Sequence, residues 1–63
     1  MIKDDRGRQI KQSQVVEYQI TTLPDDTWNV FCFTRQGETF KLPGAFDDVE
    51  LAVAFLQKIL EQD

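Results

Sequence analysis

The stretch Gln14–Leu23 alternates in character, with Val16, Tyr18 and Ile20 on one side and Glu17, Gln19 and Thr21 on the other. Successive side chains of a strand point to opposite faces, so this period predicts a half-buried strand. Leu23-Pro24-Asp25-Asp26 then supplies turn chemistry, with Pro24 pre-set for the first central position. Thr27–Arg35, rich in aromatic and β-branched residues, reads as a second strand that ends at Gln36-Gly37. Glu38–Leu42 reads as a short third strand before Pro43-Gly44.

The apolar pattern also suggests a register. Pairing Leu23 with Trp28 sets Ile20 against Phe31 and Tyr18 against Phe33. Pairing Arg35 with Glu38 sets Phe33 beside Phe40 and Phe31 beside Leu42. A slip of one residue in this second pairing sends Phe40 to the other face, so the pattern favours a two-residue turn, or a four-residue one of the same parity. Gly37 is the residue able to take the positive φ such a turn needs. The expected core face is Val16, Tyr18, Ile20, Phe31, Phe33, Phe40 and Leu42. Trp28, Val30 and Cys32 are expected on the opposite face, with Glu17, Gln19, Thr21, Thr34, Thr39 and Lys41.

From Phe46 onward the period changes to that of a helix. Asp47 is a candidate cap, Glu50 completes a capping-box-like spacing, and Phe46 and Leu51 are spaced as a hydrophobic staple. Asp47, Asp48 and Glu50 place negative charge at the positive end of the helix dipole. The helix is expected from about Asp48 to Glu61. The fold class is therefore α+β: a three-stranded antiparallel sheet in the order 1-2-3, packed on one face by a C-terminal helix, β-β-β-α.

At 100° per residue, the apolar positions from Val49 to Leu60 cover an arc of about 200°, against roughly 100° for an ordinary surface helix. Three strands cover only part of that arc, so either the Val49/Val53/Leu60 edge or the Leu51/Phe55 edge is left over. The N-terminal segment or the Leu42–Phe46 turn can cover the surplus within one chain. A protein partner can also do so, most simply a second copy in a two-fold dimer. Trp28, off the core in this register, is a further candidate anchor. The candidate partner-binding residues are Trp28, Val49, Leu51, Val53, Phe55 and Leu60.

Charge is unevenly spread. The chain has 63 residues and a net charge of −4. Lys3, Arg6, Arg8 and Lys11 against Asp4 and Asp5 make residues 1–11 +2. Three cations against nine acids make the rest −6. Residues 1–12 read as a flexible basic N-terminal arm and residues 13–63 as a single domain. There is no histidine, which removes the commonest general base and metal ligand. The single Cys32 sits between Phe31 and Phe33, which suits an inert thiol in a reducing, cytoplasmic setting. No apolar run approaches the roughly 20 residues of a membrane span. Nucleotide-binding glycine motifs and CxxC pairs are missing, and Asp25-Asp26 and Asp47-Asp48 read as a turn and a helix start. No enzyme activity, cofactor or metal is expected.

A Trp-led strand, a glycine turn, then Gly44-Ala45-Phe46 before a helix with Ala52 and Ala54 span Trp28–Leu60, about half the chain. In architecture and spacing this resembles the arm-binding domains of some phage integrases and the plant ethylene-response type of DNA-binding domain. The resemblance implies an exposed sheet face set into the major groove by several Arg and Lys. Here that face offers Lys41 and Arg35 alongside Glu17, on a body of −6 that phosphate would repel. The expected function is accordingly a small non-catalytic protein-binding or regulatory module, homodimeric in the simplest case, of a type common among phage- and plasmid-encoded accessory proteins. The alternative is nucleic-acid binding through Lys3, Arg6, Arg8, Lys11, Arg35 and Lys41.

Overall fold

The structure, a computed structural model, describes residues 2–61; positions 1, 62 and 63 of the ranges above lie outside the described residues. In chain order the elements are β1 (Ile2–Lys3), β2 (Gln9–Ile10), a 3₁₀ turn (Gln12–Gln14), β3 (Val15–Thr22), β4 (Trp28–Thr34), β5 (Thr39–Lys41) and α1 (Val49–Glu61). β3, β4 and β5 form an antiparallel sheet in that order, with α1 packed across one face. The β1–β2 pair forms a separate two-stranded sheet that the sequence pattern did not predict.

All three hairpins turn through the same kind of loop. The loops are Asp5-Arg6-Gly7, Pro24-Asp25-Asp26 and Arg35-Gln36-Gly37. In each, the third residue is left-handed, with φ of 82° at Gly7, 65° at Asp26 and 84° at Gly37. Its N–H donates to the carbonyl three residues back, on Asp4, Leu23 and Thr34 respectively. The ladder closes one residue further on: Asp4 N–H meets Arg8 O, Leu23 N–H meets Thr27 O and Thr34 N–H meets Glu38 O, at 2.9–3.0 Å. This is a turn followed by a one-residue bulge. Asp26 tolerates the left-handed region better than most side chains. Asp25 holds that loop by accepting the Thr27 N–H and the Thr27 hydroxyl on Oδ1.

These odd-length loops correct the expected register. Ile20 pairs with Val30, Tyr18 with Cys32 and Thr22 with Trp28; Phe40 pairs with Cys32, and Leu42 donates to Val30 O. Each pairing lies one residue from the expectation. The two shifts cancel between β3 and β5 but invert β4, turning Trp28, Val30, Cys32 and Thr34 inward and Phe31 and Phe33 outward. Val30, Cys32 and Leu42 are fully buried, with Trp28 half-buried against them. Val16 also departs from its predicted core position: a bulge between Val15 and Glu17 leaves it 60% exposed, and Val15 packs inward instead.

The helix begins at Val49, within a residue of expectation, and Asp48 rather than Asp47 holds the cap position, its carbonyl accepting from Leu51 and Ala52. Ala52 and Ile59 are buried and Phe55 and Leu56 half-buried, the i, i+3, i+4, i+7 stripe of a helix laid on a sheet.

Residues 2–10, read from the sequence as an arm, fold onto the same core. Ile2 and Ile10 pair across the β1–β2 hairpin and are both buried. Asp4 organises the turn. Its carboxylate accepts the backbone N–H of Arg6 at 3.0 Å and of Arg8 at 2.7 Å, and Arg8 Nε at 2.7 Å. The Arg8 guanidinium lies 4.8 Å from the centre of the Phe40 ring, and Asp5 N–H donates to Lys41 O, joining the hairpin to β5.

Candidate functional site

α1 is more apolar than its contacts require, and the surplus falls on both of its edges. On one edge Val49, Val53 and Leu60 are exposed, Leu60 at 47%. On the other, Leu51 is 54% exposed and Phe55 half-buried. The second edge meets Phe46, whose ring lies 5.3 Å from that of Phe55. Phe46, Leu51, Ala54, Phe55 and Lys58 line a shallow groove of about 430 Å³. Phe46 is held by β4, exchanging hydrogen bonds with Trp28 at 2.7 and 2.9 Å. Of the partner-binding candidates, Val49, Leu51, Val53 and Leu60 are exposed. Phe55 is half-buried at the groove, and Trp28 is half-buried in the core it was expected to leave.

The outer sheet face differs from expectation because β4 is inverted. It presents Phe31 and Phe33, both half-buried, between Glu17, Gln19 and Thr21 of β3 and Thr39 and Lys41 of β5. The candidate cations do not gather on it. Lys3, Arg6 and Lys11 are exposed in the N-terminal region, and Arg8 is engaged by Asp4 and Phe40. Arg35 projects from the β4–β5 loop, its N–H donating to Gln14 O, while Lys41 Nζ reaches the carbonyl of Leu42.

Cys32 is fully buried and burial pushes its thiol up, with the Asp4 carboxylate adding to the effect. A thiol so placed holds little of the reactive thiolate. Its cross-strand neighbour Tyr18 is likewise pushed up by burial, then by Cys32. The amide of Asn29, also buried, donates to Thr27 O and Oγ1, extending the Asp25–Thr27 turn network. Among the described residues no three acidic or cysteine side chains converge as metal ligands. No helix among them is long and apolar enough to cross a membrane.

No known protein family, curated protein or solved structure matches the chain.

Proposed function

We propose that this chain is a small non-catalytic interaction module, of the regulatory or accessory kind, that binds protein through its helix. The observation that carries this reading is the stripe of Val49, Val53 and Leu60, which stays open to solvent while Ala52 and Ile59 of the same helix are buried against the sheet. Val49 and Val53 lie one turn apart, with Leu60 two turns further along the same face, and an exposed apolar stripe of this kind marks a docking site. The small size of the chain supports the reading, since a partner supplies burial that one short core lacks. A free thiol sealed in the core fits a reducing, cytoplasmic setting.

A second reading, nucleic-acid binding, draws on Phe31 and Phe33, which stand two residues apart on the outer sheet face beside Lys41. Aromatic side chains so placed can stack bases. Glu17 beside Phe33, and Arg8 already engaged by Asp4, weigh against it.

Capture from lysate by the immobilised chain, with and without nuclease, separates the two. The interaction reading expects protein retained whether or not nuclease is present and lost from folded Val53→Asp. Retention that nuclease abolishes moves the function to the outer sheet face, and equal retention by Val53→Asp overturns the role of the helix edge.

A further inference from the structure

We propose that the free edge of β3 takes the β3 edge of a second copy of this chain. Two three-stranded sheets then join into one of six strands, and the two Val49/Val53/Leu60 ridges meet beside the seam. This inference rests on the interaction reading above and names its partner.

The first ground is the hydrogen bonding of the backbone. Even-numbered residues of β4 direct their N–H and C=O groups toward the β5 side. Trp28 N–H meets Phe46 O, Val30 O accepts from Leu42 N–H, and Thr34 N–H meets Glu38 O. On β3, Thr22 lies opposite Trp28, Ile20 opposite Val30 and Tyr18 opposite Cys32, the even-numbered residue between Val30 and Thr34. In an antiparallel pair such positions turn their own N–H and C=O groups away from the neighbouring strand. Among the described residues no backbone group lies on that outer side to receive them. A row of unpaired donors and acceptors is a template for another strand.

The second ground is that this edge lacks most of the usual protection. Val15–Thr22 holds no proline and no lysine, and Glu17 is its one charged residue. The bulge at Val16 limits the pairing stretch to Glu17–Thr22.

The third ground is that the apolar ridge lies on the same side of the molecule. Phe46 continues the β5 row beside Trp28 and touches the Leu51/Phe55 edge of α1, so that edge faces β5. Val49, Val53 and Leu60 are on the opposite edge, toward β3, which α1 also contacts. A partner must therefore offer a free antiparallel edge with an uncharged apolar ridge beside it, and this chain offers both. Two-fold pairing centred at Gln19 or Ile20 places Glu17 opposite Thr21 or Leu23, so no like charges meet.

Sedimentation across a concentration series, with amide exchange read by NMR, tests this. Wild type should form a reversible dimer of twice the 7.3 kDa chain, with the Tyr18, Ile20 and Thr22 amides exchanging more slowly in the dimer than on dilution. Thr22→Pro, at an exposed position whose N–H points outward, should lose the dimer and keep native Trp28 emission, while Thr22→Val keeps both. If Thr22→Pro unfolds, amide exchange in the wild type decides. Three results overturn the proposal: a monomer throughout the series, a dimer in which those three amides exchange as in the monomer, or a dimer that folded Thr22→Pro leaves intact. A dimer that Val53→Asp abolishes and Thr22→Pro does not would refute strand pairing while leaving the helix reading in place. A monomer whose lysate capture still depends on Val53 would do the same.

Discussion

Ile20 stands directly opposite Val30, and Leu42 donates its N–H to Val30 from the other side, so one apolar row crosses the sheet beneath α1. Leu42 and Val30 are sealed completely. Phe31, the neighbour of Val30 in sequence, points away from the helix.

That row sets the order of two substitutions. Leu42→Ala should cost about 2–5 kcal/mol, the range for emptying a buried leucine site. A chain of this length holds only about 3–9 kcal/mol in total, so the variant should be partly or wholly unfolded. Phe31→Ala should cost less, about 1–2 kcal/mol, since the ring is only half-buried on the outer face. Urea unfolding followed by Trp28 fluorescence measures both. A larger loss for Phe31→Ala would place that ring in the core and reverse the register.

The glycines in the loops should differ in a similar way. A Cβ at Gly37 would meet open space, so Gly37→Ala should cost only the left-handed backbone penalty, about 1–2 kcal/mol. Gly37→Asn should recover part of that. At Gly44, with φ of 112°, a Cβ would stand 2.9 Å from Phe46 Cζ, and Phe55 lies against the same ring. Gly44→Ala should therefore be the more damaging, and thermal melts of the three variants rank them.

Acid should loosen the N-terminal hairpin. Burial pushes the Asp4 carboxyl up. The Arg8 backbone and side chain and the Arg6 N–H outweigh it and hold the group below its ordinary 3.8. A carboxylate with a folded pKa below its unfolded one adds stability that is fully present above the unfolded value and lost as pH falls through the folded value. Stability should therefore decline below about pH 4, and Asp4→Asn should flatten that part of the curve while lowering stability at neutral pH. Asp25, held down by the Thr27 hydroxyl and N–H, contributes in the same direction. Urea midpoints from pH 7 to pH 2.5 for wild type, Asp4→Asn and Asp25→Asn check this. An unchanged acid limb in Asp4→Asn would remove the hairpin from the account.

The helix and the three strands of the main sheet were legible because their patterns have contrast. Polar Glu17, Gln19 and Thr21 alternate with apolar neighbours, and Ala52, Leu56 and Ile59 recur at helical spacing. β4 offers no such contrast. Trp28, Val30 and Cys32 are as apolar as Phe31 and Phe33, so either set could fill a core, and periodicity cannot choose between them. The choice was made in the loops, by Asp26 and Gly37 taking positive φ at the third loop position. Asp25 followed by Asp26 and Thr27 was the local signal. The β1–β2 hairpin escaped notice because each strand has two residues, too short for any period. Gly7, lying between Ile2 and Ile10, was its one trace.

Surface loops ordinarily absorb inserted and deleted residues with little effect, but the three hairpin loops here are locked in length. Removing one residue from Pro24-Asp25-Asp26 would rotate β3 against β4 and send Ile20 and Tyr18 to solvent, whereas adding two would preserve the parity. Single-residue indels at these tips should thus behave as core mutations, even where substitution of the exposed Arg35 or Gln36 side chains is tolerated.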